Sequence, residues 1–170
     1  MLDLGNRDPI LEAYFEEQLL AWNAEHPDQD LVSLCYGIKY HGLIIEYNVC
    51  GDPTLRGDID TVASDDEKKA LICIFALAAL IALLSTPTSA ICLNFQSIPL
   101  LTAGAELTQE DSLLRDQVLD RYKAIYSADR IPVNFWAGGL LKELWSQRDQ
   151  GVEITFIEFL RRNNWTLSFA

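Results

Sequence analysis

Basic residues are scarce in this chain. Thirteen Lys and Arg stand against 25 Asp and Glu, a formal net charge of −12 over 170 residues. Proteins grip a phosphate backbone by displacing its counterions with Lys and Arg, so this balance disfavours a nucleic-acid partner. It suits a soluble protein, or one whose protein partner is basic. Histidine is rarer, with only His26 and His41. The four cysteines, Cys35, Cys50, Cys73 and Cys92, include no Cys-x-x-Cys pair, which is poor spacing for zinc. Gly-x-Ser-x-Gly, the P-loop and Gly-x-Gly-x-x-Gly are all missing. Their absence removes the common serine-hydrolase, nucleoside-triphosphatase and dinucleotide-binding readings.

Targeting signals are lacking too. Met1 to Asp8 holds no basic stretch followed by an apolar run, so it does not read as a secretory signal. An intracellular, cytoplasmic setting with reduced cysteines is the expectation. The longest apolar run, Ala70 to Leu84, has 15 residues, short of the roughly 20 needed to span a bilayer. It predicts a buried core helix and no membrane partner.

What the chain does have is apolar mass. Hydrophobic residues make up 49%, enough for a sizeable core in one compact domain. Asp8-Pro9 predicts a helix start, with Asp capping free N–H groups and Pro at the first helical position. Leu11, Tyr14, Phe15, Leu19 and Trp22 follow at helical spacing, with Glu12, Glu16 and Glu17 between them. Those three glutamates read as a docking surface or as a solvated face. Ser64-Asp65-Asp66-Glu67 is a capping box before a helix to about Leu84, apolar on all sides after Lys69 and so expected to be enclosed. Thr108-Gln109-Glu110-Asp111 starts another capped helix, and Asn134 to Gln147 reads as one more.

Other stretches read as strands. Tyr36, Ile38 and Tyr40 alternate with Gly37, Lys39 and His41, predicting a β-hairpin over 31–51 that turns at Gly42-Leu43. That register sets Lys39 opposite Glu46 and Cys35 opposite Cys50. Ala90 to Phe95 reads as a strand buried on both faces. Val152 to Phe159 alternates strictly, predicting a strand, and Trp165 to Phe169 suggests a short final strand. The loop from Asp52 to Ala63 carries Asp58 and Asp60, a solvated turn or a weak cation site.

This order makes an α/β pattern with a mixed sheet. Tyr36-Gly37-Ile38-Lys39-Tyr40-His41-Gly42, then Ala76-Leu77-Ala78-Ala79-Leu80, then Leu93-Asn94-Phe95-Gln96-Ser97 follow one another. Pro132-Val133-Asn134-Phe135-Trp136, Leu140 to Trp145 and Val152 to Phe159 complete the series. Over about three quarters of its length the chain resembles the ribonuclease H family in the order of these pieces. The resemblance implies a β-hairpin, a central buried helix, further strands and helices over 31–170, and an added helical extension over 1–30.

The family's chemistry uses clustered carboxylates to hold two divalent cations about the scissile phosphate. Carried over residue by residue, that set is depleted. The strand Asp becomes Asn94. The central-helix Glu falls on Lys69, or on Glu67 after a shift of two. The family's first-strand Asp has no counterpart, and Leu160-Arg161-Arg162-Asn163-Asn164 lacks the family's His. Glu67, Asn94, Asp58 and Asp60 remain as weak catalytic candidates. The resemblance therefore implies a pseudoenzyme, a non-catalytic scaffolding module of retroelement descent, without a cofactor. Its contact residues would include Glu12, Glu16, Glu17 and Trp136, and its unpaired sheet edge would allow a homodimer. The alternatives are an acidic inhibitor, of the immunity or anti-defence type, for a basic nuclease, or a divergent nuclease using Mg²⁺ or Mn²⁺.

Overall fold

The computed structural model describes residues 8–50 and 64–165, and no strand occurs among them. Seven α-helices run in order through the described chain: α1 (Pro9–Ala21), α2 (Gln29–Cys50), α3 (Asp65–Ser85), α4 (Ser97–Ala105), α5 (Ser112–Asp129), α6 (Pro132–Asp149) and α7 (Phe156–Arg162). Two 3-10 turns, Ile91–Gln96 and Gln109–Asp111, lead into α4 and α5.

Local chemistry starts most of these helices. The Asp8 carboxylate accepts from the N–H of Ile10 at 3.1 Å and of Leu11 at 3.3 Å. The Ser64 hydroxyl accepts from the Glu67 N–H, while Glu67 accepts from the Ser64 N–H. Thr108 and Asp111 form a second box before α5, and Thr155 and Glu158 a third before α7. Each box closes N–H groups that the first helical turn cannot satisfy itself.

Helices α2 and α3 pack most closely. Gly37 makes that approach possible, since a Cβ there would lie 2.8 Å from Leu83 Cγ. Ala76, Ala79, Leu80 and Leu83 form the facing stripe of α3, with Leu43, Ile44 and Tyr47 buried on α2. The short helix α4 sits at the centre, with every residue from Pro99 to Ala105 buried. Its last carbonyls, which no helix can satisfy alone, are taken by other elements. Trp145 Nε1 donates to Gly104 O at 3.0 Å and Arg148 donates to Ala105 O, and just beyond the helix Arg115 donates to Leu107 O at 3.2 Å.

The mixed sheet and ribonuclease H-like architecture predicted above are overturned. Residues 36–49 lie in one helix, α2. Their apolar residues fit both a period of two and a helical period, and the buried set Ser33, Leu34, Gly37, Lys39, Leu43, Ile44, Tyr47 is helical. Gly42 is no turn residue but the contact for Leu19 of α1. Lys39 does not pair with Glu46. Its ammonium donates to Leu20 O at 3.0 Å and Trp22 O at 2.7 Å, closing the C-terminal end of α1, where the helix dipole favours a cation. Positions 35 and 50 lie about 22 Å apart along one helix axis at 1.5 Å per residue, not opposite each other on paired strands.

The stretch at Ala90–Phe95 enters a 3-10 turn that buries Cys92, Leu93 and Gln96 and exposes Ile91 and Phe95. Residues 152–155 form no strand, and α7 begins at Phe156. The Thr155–Glu158 box overrides the apparent alternation there. Of the final predicted strand, Trp165 is unpaired and 166–170 lie outside the described residues. Without a sheet, the strand-edge argument for a homodimer loses its basis. Helix α3 is not enclosed all round either. It is long and apolar enough to cross a membrane by length and composition, yet only 33% of its apolar window is buried. Ile74 and Ile81 stand 58% and 70% exposed on its open side.

Candidate functional site

Of the four weak catalytic candidates, the two among the described residues, Glu67 and Asn94, lie apart. Asp58 and Asp60 lie outside the described residues. Glu67 is fully occupied as a cap. Its carboxylate accepts from Ser64 N at 2.8 Å and from Ser64 Oγ at 3.1 Å, which holds it below the usual glutamate range. Asn94 is exposed in the 3-10 turn beyond the far end of α3, and its carbonyl accepts from Ser97 Oγ at 3.3 Å. About 27 Å of helix separates Glu67 from Ser85 at 1.5 Å per residue. Among the described residues no three His, Cys, Asp or Glu side chains gather as a metal cluster would require.

The glutamates of α1 divide. Glu17 is exposed, Glu12 is half-buried, and Glu16 is 6% exposed where the Tyr47 hydroxyl donates to its Oε1. Glu46 of α2 joins this group. Burial, then the charges of Glu16 and Glu12, push its carboxyl up to about 7. Its Oε2 is buried without a hydrogen-bond partner among the described residues. The same surroundings push the Tyr47 hydroxyl well up, burial first and the bond to Glu16 second. These groups join α1 to α2 and present no continuous acidic docking face.

A second polar centre lies where α2, α3, the residues just after α4, α6 and residues 152–158 meet, around a cavity of about 630 Å³. Asn48 donates to Glu106 at 3.3 Å, and Arg148 stands 4.0 Å from the same carboxylate. Burial pushes the Glu106 carboxyl up, with Arg148 opposing. Arg148 also donates to Ile154 O at 2.9 Å. Arg115 pairs with Asp149 at 2.7 Å and lies over the Trp145 ring at 4.9 Å. Most of these donors are engaged by backbone carbonyls or carboxylates, which is structural work. On α2, His41 Nδ1 is hydrogen-bonded to Thr102 Oγ1 at 2.8 Å, and burial lowers the imidazole pKa.

The third feature is a cleft of about 400 Å³ between α5 and α6. Leu119, Tyr122, Lys123 and Tyr126 line it from α5, at one helical stripe. Phe135, Trp136, Gly138, Gly139 and Lys142 line it from α6. The rings of Tyr126 and Phe135 are 5.7 Å apart, and those of Phe135 and Trp136 5.8 Å. Phe135 and Trp136 are 63% and 66% exposed. The sequence reading singled out Trp136 from this cleft and missed its lysines. The adjacent Gly138 and Gly139 inside an apolar helix were the available signal, because an interior glycine costs helix stability.

These observations define a domain whose described elements are all helical and whose described polar clusters hold helix ends together. The chain belongs to the fungal specific transcription factor domain family, whose sequence model matches residues 23–170. No curated protein and no solved structure matches it. The family overturns the ribonuclease H-like reading, with its pseudoenzyme scaffold of retroelement descent and its inhibitor and nuclease alternatives. It also places the domain inside the cell.

Proposed function

We propose that this chain is the regulatory, protein-contacting part of a fungal transcription factor and not the part that reads DNA. The family match over 23–170 carries this reading. The charge of −12 supports it, since base-reading surfaces concentrate Lys and Arg. The working compartment is then the nucleus rather than the cytoplasm.

The partner is a protein. Ile10, Leu11, Tyr14 and Phe15 of α1 are each at least half exposed, and clustered exposed apolar side chains mark contact surfaces. The chain's net charge of −12 favours a partner with basic groups at its rim. No metal or cofactor is needed for this role.

The test is a reporter assay in a fungal cell. The full chain is fused to an unrelated DNA-binding module and compared with that module alone. A several-fold change in transcription, up or down, is expected. An unaltered reporter with the fusion stably expressed contradicts the proposal.

A further inference from the structure

The cleft between α5 and α6 has a chemistry that the fold itself does not use. Its walls are mostly aromatic and apolar, with the Asn134 amide among them, and Lys123 and Lys142 line it as cations. We propose that it binds a small planar aromatic acid, with the ring among Tyr126, Phe135 and Trp136 and the carboxylate between Lys123 and Lys142.

Three observations carry this assignment. The first is charge. The chain has five lysines and a net charge of −12, yet two of those lysines line this one cleft. Lys142 makes no ion pair among the described residues. Lys123 pairs with Asp120 at 2.7 Å, with both side chains more than 70% exposed, an arrangement that yields easily to a competing anion. Cations beside an apolar cavity complement a ligand that is flat and apolar at one end and anionic at the other.

The second is Gly139. A glycine within a helix is unfavourable unless something requires it. Nothing among the described residues does, for a Cβ at Gly139 would meet none of their atoms within 4 Å. The missing side chain instead keeps that wall of the cleft open. Gly138 beside it differs, since its Cβ would touch Leu119 at 3.6 Å.

The third is the aromatic lining. Phe135 and Trp136 keep most of their surface in water, although such rings gain by burial and by edge or offset contact with another ring. A volume of about 400 Å³ falls in the range of small-molecule sites and admits a two-ring acid.

This binding is independent of the transcriptional reading, and each can fail without the other. The probe is indole-3-carboxylate, titrated into the ¹⁵N-labelled full chain while the tryptophan indole resonances are followed. Trp136→Phe identifies the Trp136 peak. A saturable shift of that peak is expected, with the buried Trp145 peak unmoved. The neutral indole-3-carboxamide should bind at least about tenfold more weakly, equivalent to losing one good charge contact. Replacing both lysines, Lys123→Met with Lys142→Met, should bring the acid down to the level of the amide. Gly139→Leu should fill the cleft and abolish the shift while the thermal midpoint is kept, which separates blocking from unfolding. The assignment is overturned if the acid gives no saturable shift, if the amide binds within that factor, or if a folded Gly139→Leu chain binds unchanged.

Discussion

Glu46 keeps its proton to about pH 7 because it is buried on α2 beside Glu16 and Glu12. The sign of the effect on stability follows directly. The folded-state value lies above the unfolded value of 4.5, so the folded chain binds the proton more tightly. This group's contribution is full below about pH 4.5 and is lost as pH rises through about 7. Glu46→Gln removes the ionisation and should raise stability by about 1 kcal/mol at about pH 8, after allowing for partial solvent screening. The same variant should be nearly neutral at about pH 4.5. Urea unfolding at the two pH values checks this, and an equal effect at both would show that the carboxyl does not titrate as described. Lys39 shows the complementary use of a buried charge. Burial lowers its pKa, but its ammonium donates hydrogen bonds to two carbonyls at the end of α1 and secures that helix to α2.

At the scale of helices, two glycines make opposite predictions. Gly37→Ala pushes a methyl group into Leu83, which is fully buried and has nowhere to move. The overpacking should cost about 1–3 kcal/mol, less the gain of up to about 1 kcal/mol in helix propensity. Gly139→Ala meets nothing and should stabilise the protein by about 0.5–1 kcal/mol. Thermal unfolding of the two variants separates them, and a shared sign would show that α2 and α3 are not in the contact described.

The same contrast explains what was legible along the chain. Asp8, the Ser64–Glu67 box and the Thr108–Asp111 box announced helix starts because capping involves neighbours within three residues. The stretch from Tyr36 to Val49 misled because aromatic and β-branched side chains at alternate positions satisfy a strand period as well as a helical one. The glycine at 37 and the alanines at 76 and 79 suggested a ribonuclease H-like order. Their physical role is to let α2 and α3 approach.

For the whole molecule, the charge of −12 sets an expectation about DNA. The full chain should give no anisotropy change with a labelled short duplex even at low salt, where phosphate contacts are strongest. Saturable binding that weakens steeply with salt would contradict the division between a regulatory and a DNA-reading part. Of the residues that define the cleft, only Trp136 was singled out from the sequence. Lys123 and Lys142 lie 19 positions apart on different helices, and no local pattern links them.

The sequence by itself determined the acidic balance, the apolar mass available for a core and the helix starts at Asp8, Ser64 and Thr108, since these depend on composition or on residues within one turn. Tertiary structure alone decided that 36–49 is helix, that the charge of Glu16 acts on Glu46, and that two lysines line one cleft beside exposed rings. Those outcomes depend on which helix faces pack together, and packing joins residues whose separation along the chain carries no periodic signal.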